Sequence, residues 1–340
     1  DEQAEVIMFE KGPHVSFSNC SLPFHLSGVV ESSNRLVLMN PNSFKAKYNL
    51  DARTNSEVIR INRAKKTITV RNVLTNEEYT ESYDKLVLSP GAAPIVPNVN
   101  GTTLEHVFTV RNVVDIERLQ KAIVEKDAQN IAVIGGGYIG VEVAENLRLA
   151  GRNVTLVQSA PQILRPFDFS MAQILQKEMM DQGIHVVVGD GLAGITTESV
   201  ILASGKQIKA DIVVLAIGVR PETKLVEEAG LEIGTTGGIK VNQNYVTSDP
   251  HIYAVGDVIE VYHRLLHKPV RLALAGPAQR QARAVADHIY GIANQNKGVI
   301  GSTSIQVFDY AAAATGLTEE VARNAGFQVD SVYVIAPDKV

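Results

Sequence analysis

Three short stretches of this chain hold residue types that could do chemistry. The first, SFSNCSLPFHLSG (Ser16–Gly28), carries Cys20, the one cysteine among 340 residues. A lone cysteine is ordinarily a small buried hydrophobe. Here its neighbours Ser16, Ser18, Asn19 and Ser21 are polar, and a helix is expected from Leu22, with Pro23 suited to its first turn. A helix N-terminus favours the thiolate, the form that attacks sulfur. The second stretch, Gly135-Gly136-Gly137-Tyr138-Ile139-Gly140, reads G-x-G-x-x-G. Gly135 would allow a tight turn, Gly137 would let a pyrophosphate approach the backbone, and Gly140 would let helix and strand pack closely. Tyr138 and Ile139 then open a helix whose N-terminus faces the phosphates. The third, Gly256-Asp257, puts a carboxylate after a glycine at the end of an apolar strand. There it could grip a hydroxyl-bearing chain or cap the next turn.

Each stretch needs elements to hold it. Before the glycines lies the apolar strand Ile131–Ile134. After them come a helix over Ile139–Leu149, Gly151 to end it, and a strand over Val154–Gln158. That order is a dinucleotide-binding βαβ unit. The acid expected at the end of its second strand, about 20 residues on, is replaced by Gln158. Glutamine can bond a ribose hydroxyl and does not repel a 2′-phosphate, so both NADH and NADPH stay open, with NADH the first expectation. Elsewhere, Val6–Glu10 reads as a strand, SEVIRIN and KTITVRN as a β-hairpin, Val114–Glu125 and Ser170–Gln182 as helices, and DSVYVIA near the end as a strand. Four regions follow: 1–110, 111–240, 241–297 and 298–340.

Composition narrows the function classes. The formal net charge is -5, and a slightly acidic chain lacks the basic face that nucleic acid demands. The longest apolar runs, such as Ile212–Ile217, are too short to span a bilayer, and the start carries no signal-peptide pattern. One cysteine permits no internal disulfide, which fits a reducing compartment, so a cytoplasmic location is expected. No cluster of His, Cys, Asp or Glu has metal-ligand spacing, and His14 and His25 read as surface or packing residues.

Taken in order, several motifs resemble those of the flavin- and pyridine-nucleotide-dependent disulfide reductases. TSDPHIYAVGD resembles that family's second FAD motif, which assigns Asp257 to the flavin ribityl chain. LVLSPGAAP resembles its crossover between FAD and NAD domains, and AIGVRPE, with Gly218, its NAD-domain closing motif. LAGPAQRQARAVADHIYG resembles the helix whose N-terminus, at Ala275, Gly276 and Pro277, points at the flavin and would stabilise negative charge there. Glu142 matches a family glutamate beside nicotinamide and flavin. Glu10, with Lys11 next to it, matches the acid that holds the FAD adenosine ribose. The resemblance implies an α/β fold: two Rossmann-like three-layer domains, for FAD and NAD(P), with a partial α+β dimer-interface domain. It also implies a preceding strand, glycine turn and helix of on the order of 30 residues ahead of Asp1, without which tight FAD binding is not expected. A homodimer is expected of the longer protein.

SFSNCSLPFHLSG resembles the family's single-cysteine branch, in which NC-x-LP is closer to coenzyme A disulfide and persulfide reductases than to NADH oxidases and peroxidases. With no second cysteine, the other sulfur comes from the substrate. The resemblance implies electron flow from NAD(P)H through FAD to Cys20, oxidised either as a mixed disulfide or as a sulfenic acid. Coenzyme A is then a substrate or a bound thiol, contacted near Ser16 and Asn19. Lys45, Lys47 and Arg53 are a solvated basic face or a grip on coenzyme A phosphates. Tyr310 is a proton donor to the leaving thiolate, as a partner-subunit tyrosine is in relatives, or a core residue. The rival readings are an oxidase or peroxidase and, from another class, a non-catalytic nucleotide-binding redox sensor.

Overall fold

The apolar runs of the middle region have no polar alternation, as expected of strands buried on both faces. In the computed structural model, which describes residues 3–293 and 298–335, they form a five-stranded parallel sheet. Its order is Val107–Thr109, Ile212–Leu215, Asn130–Ile134, Asn153–Gln158, His185–Val188. Alternate residues of one strand serve opposite faces. Ile131 and Val133 pack with the helices, while Ala132 and Ile134 pack under a small antiparallel sheet, Leu192–Ile195, Ser199–Leu202 and Gln207–Lys209. The result is three layers: helices, parallel sheet, antiparallel sheet.

The helices among the described residues are α1 (Pro41–Tyr48), α2 (Val113–Glu125), α3 (Tyr138–Leu149), α4 (Phe169–Asp181), α5 (Lys224–Glu228), α6 (Ala275–Ile289) and α7 (Glu319–Asn324). None is long and apolar enough to cross a membrane. α2 shows why such segments fold locally. The Asn112 side chain accepts from the Asp115 N–H, a normal N-cap. Val113, Ile116, Leu119 and Ile123 then recur on one buried face.

A second core gathers the strands on either side of this unit. Ile7–Phe9 pairs in parallel with Asp51–Arg53, and Leu86–Leu88 with Ile252–Ala254. The expected hairpin, Ser56–Asn62 with Thr67–Asn72, gains a third strand, Glu78–Ser82. Val226, Leu231 and Ile239 join this core, so the return from the middle region begins ahead of residue 241. The passages between the two cores lie side by side, Ala92–Pro94 antiparallel to Val219–Pro221. Both units are Rossmann-like α/β, followed by a small α+β unit, the hairpin Ser302–Val307 and Tyr310–Thr315 with α7.

Two sequence expectations need correction. No α-helix starts at Leu22: Asn19–Ser21 and Pro23–His25 are single 3-10 turns. Leu22 and Leu26 are both buried, and their spacing of four mimics a helical face. The segment DSVYVIA forms no strand over its described residues. Val332, Val334 and Ile335 are exposed, and no described strand runs beside them.

Candidate functional site

The glycine turn is shaped by contacts that a side chain would break. Gly135 has φ +114, and a Cβ there would lie 2.3 Å from the Ala216 carbonyl oxygen. A Cβ on Gly140 would meet the Gly135 oxygen at 1.8 Å, so this glycine lets α3 start against the strand. Gly137 differs. Its φ is -81, a value any residue adopts, and a Cβ there would have nothing within 4 Å. Neither backbone nor packing requires that glycine, and the open space over it leaves room for a ligand to lie close to the chain. Gly137 also caps α3 without a side-chain bond, leaving the first-turn amides at Tyr138 and Ile139 open for an anion. Gln158 ends its strand at the turn, its Oε1 accepting from the Gly136 N–H at 3.2 Å. These residues fit a dinucleotide pyrophosphate.

Asp257 follows the buried strand Ile252–Ala254 in a 3-10 turn, with Gly256 at φ +82. Burial pushes its carboxyl up, and it bonds no described residue. An unpaired, half-buried carboxylate of this kind suits a ligand hydroxyl. α6 begins at Ala275 with no side-chain cap, so Ala275 and Gly276 present free amides, while Pro277 has none to offer. The helix is fastened to the aspartate turn by Gln281, whose buried Oε1 accepts from the Gly256 N–H at 2.7 Å. Sequence reading missed Gln281. A glutamine on the apolar side of an amphipathic helix was the available signal.

Cys20 is exposed and free. The two turns around it dock on α3 through Leu22 and Leu26 in the first core. A direct bond reinforces this: the Ser27 hydroxyl donates to Asn146 Oδ1 at 2.7 Å. Cys20 lines a cavity of about 720 Å³ with Phe24, Glu142, Glu145, Ile305 and Phe308. Burial, helped by Glu145, pushes the Glu142 carboxyl up to about 7. Glu145 is also pushed up by burial, and it accepts from the Phe308 N–H at 2.9 Å. The cavity is thus walled by the cysteine segment, α3 and the C-terminal hairpin. Glu145 and Asn146, which join those walls, were not singled out by sequence.

The remaining expected residues fall as follows. Glu10 directly follows the first strand, with one oxygen accepting from the Gly12 N–H at 2.6 Å, and Lys11 beside it is exposed. Ser16 lies in a short strand and Asn19 is exposed next to Cys20. Gly218, at φ +123, directs the chain out of the parallel sheet toward the crossover. Lys45 is exposed on α1, but Arg53 is held by Asp51 at 2.8 Å and Glu81 at 2.6 Å. Tyr310 is exposed on the hairpin, outside the residues that line the Cys20 cavity and within electrostatic reach of Lys177 on α4.

The pyridine nucleotide-disulphide oxidoreductase family matches residues 1–282. A coenzyme A disulfide reductase of Staphylococcus epidermidis is 34% identical over 335 residues, 98% of this chain and 75% of that protein. Among solved structures, reduced Bacillus anthracis CoADR-RHD is 43% identical with TM-score 0.94, covering 96% of this chain and 60% of that one. A NAD-dependent persulfide reductase from A. fulgidus is 31% identical with TM-score 0.92, covering 96% and 62%. The chain therefore spans about three fifths of those two solved chains.

Proposed function

The chain belongs to the pyridine nucleotide-disulphide oxidoreductase family, and on that footing we propose that it is the reductase part of a flavoprotein that reduces coenzyme A disulfide or a small persulfide at Cys20. The observation that carries this reading is the position of the sole cysteine, exposed in a cavity shared with Glu142 on the helix that follows the glycine turn. Bound FAD supplies two-electron exchange between a nicotinamide hydride and a sulfur. Asp257 would hold its sugar-like chain and the open amides of α6 would face its charged end. Glu10 would take the adenosine ribose through its second oxygen, with Lys11 next to it. The glycine turn, with Gly137, Tyr138, Ile139 and Gln158, would seat NADH or NADPH. Gly218 keeps the neighbouring sheet exit free of a side chain.

At the sulfur, the Cys20 thiolate attacks one sulfur of the incoming disulfide. One thiol leaves and the other stays on Cys20 as a mixed disulfide, to be released when two electrons arrive. Ser16 and Asn19 would contact the substrate from outside the cavity, Asn19 from the position next to Cys20. Lys45 would serve as a cation for a phosphate-bearing thiol, since Arg53 is already matched by two carboxylates. Tyr310 lies outside the residues that line the cavity, so in this reading it donates the proton from a second copy, which makes a homodimer part of the proposal.

The test is anaerobic. The full-length protein is loaded with FAD and reduced with NADH, coenzyme A disulfide is added, and flavin reoxidation is followed. Fast reoxidation in the parent and none in C20S supports the reading. Reoxidation by oxygen or peroxide alone supports a sulfenic-acid oxidase instead, and no turnover with any acceptor leaves a redox sensor.

A further inference from the structure

The passages Ala92–Pro94 and Val219–Pro221 form an antiparallel ribbon between the two cores, three residues a side and half-buried at most positions. The Ile95 N–H donates to the Gly218 oxygen at 2.9 Å, and the Glu222 N–H to the Gly91 oxygen at 3.1 Å. So short a two-stranded ribbon twists readily unless it is held from the side. Arg111 holds it. Its Nη1 donates to Glu222 Oε1 at 3.1 Å, just past the second passage, and its Nη2 to the Pro90 oxygen at 3.1 Å, just ahead of the first. The guanidinium fork thus grips both passages at once.

The backbone of Arg111 belongs to the nucleotide unit. It lies two residues beyond the strand Val107–Thr109, and its N–H donates to Asp115 Oδ2 at 3.0 Å in the first turn of α2. Its side chain is 30% exposed and that of Glu222 33%, so the pair is screened less than one on the open surface. Thr109 pairs in parallel with Leu215. Arg111 and the exit Ala216–Gly218 therefore leave the sheet at the same C-terminal edge, the edge at which such sheets hold ligands. At that exit the Ala216 oxygen lies against Gly135 of the glycine turn. Ahead of Pro90, Leu86–Leu88 pairs with Ile252–Ala254, the strand that leads to Asp257. The clamp connects the segment beside one candidate ligand site to the strand pair that carries the other.

We infer that Arg111 is a positioning residue: by tying both passages to the nucleotide unit, it sets the spacing between a pyridine nucleotide at the glycine turn and a flavin at Asp257 and α6. It acts through the ribbon and touches neither ligand. The inference rests on the functional reading above, in which a hydride leaves the dihydronicotinamide, oxidising it, and reduces the flavin. A misplacement of about 1 Å can slow such a step about 100-fold, so a small shift of the ribbon is enough.

Two measurements on the FAD-loaded, full-length protein test it. Hydrogen exchange read by mass spectrometry follows the ribbon, and anaerobic stopped-flow reduction by NADH separates the limiting rate from the affinity. R111A should speed exchange at the Ile95 and Glu222 amides about 10- to 100-fold, while the Val133 and Leu156 amides of the parallel sheet exchange as in the parent. It should lower the limiting rate of flavin reduction about 10- to 100-fold and leave NADH affinity unchanged. R111K, which reaches one acceptor at a time, should fall between. E222A added to R111A should change little more, because both remove one contact. Ribbon exchange or a limiting rate unchanged in R111A overturns the inference and leaves the functional reading standing. A loss of NADH affinity with the limiting rate kept places Arg111 at the ligand and also overturns it. A parent whose flavin NADH does not reduce overturns the functional reading itself, and the inference with it.

Discussion

Cys20 and Glu142 line one cavity but ask different things of it. In the proposed reaction the sulfur meets a partner from solution, so exposure serves it, whereas the carboxyl is held half-buried and keeps its proton to about pH 7. C20S is expected to lower disulfide reduction by about 10³-fold or more, the scale of losing a nucleophile, while NADH still bleaches the flavin. Stopped-flow absorbance separates the two steps. Glu142 has a consequence for stability. Unfolded, it loses its proton near 4.5, and folded, near 7. Its contribution is fully present below pH 4.5 and is lost as pH rises through 7, by up to about 3 kcal/mol. E142Q has no proton to lose, so urea midpoints measured at pH 5 and pH 7.5 should differ less in E142Q than in the parent. Equal pH dependence in both proteins would place the titration elsewhere.

Among elements, the strand, glycine turn and helix were the most legible in the sequence, because each glycine there answers to a local constraint. Gly140 and Gly137 separate two such constraints. G140A forces a Cβ against the Gly135 oxygen and should cost about 1–3 kcal/mol of stability through displaced packing. G137A meets no protein atom. Its thermal midpoint should stay close to the parent's while pyridine-nucleotide affinity falls at least about tenfold, corresponding to about 1.4 kcal/mol, read by quenching of NADPH fluorescence. A large loss of stability in G137A would mean that the position serves the fold rather than a ligand. The start of α6 at Ala275 was equally legible, since an apolar segment and Pro277 mark it locally. The cysteine segment was not. Leu22 and Leu26 sit four apart as in a helix, yet single 3-10 turns bring both inward. Q281A is the matching test at the α6 anchor. Leaving the Gly256 N–H unpaired should cost about 1–3 kcal/mol and weaken flavin retention, measured by equilibrium dialysis, while Q281E, which keeps an acceptor, should retain more of both.

At the scale of the whole molecule, the site depends on contacts that no local pattern encodes. Ser27 and Asn146 are 119 residues apart in sequence, and Glu145 and Phe308 are 163 apart. Sequence periodicity places such polar residues on a helix but cannot say which distant chain covers them. That is why Glu145 and Asn146 escaped notice although both are buried. Their bonds make α3 a common wall. Its first turn follows the glycine turn, its later turns hold the cysteine segment through Asn146, and Glu145 holds the C-terminal hairpin at Phe308. The hairpin in turn contributes Ile305, Val307 and Phe308 to the core that contains α2, α3 and α4. Apolar burial keeps the hairpin near α3, and the Glu145 bond sets which turn of it closes the Cys20 cavity. E145A should leave the Phe308 N–H buried without an acceptor, at a cost of about 1–3 kcal/mol, and speed hydrogen exchange at that amide about 10- to 100-fold. E145Q keeps an acceptor of the same size and should stay close to the parent in both measurements. If the Phe308 amide exchanges equally slowly in E145A, packing alone seats the hairpin, and the Cys20 cavity does not depend on Glu145.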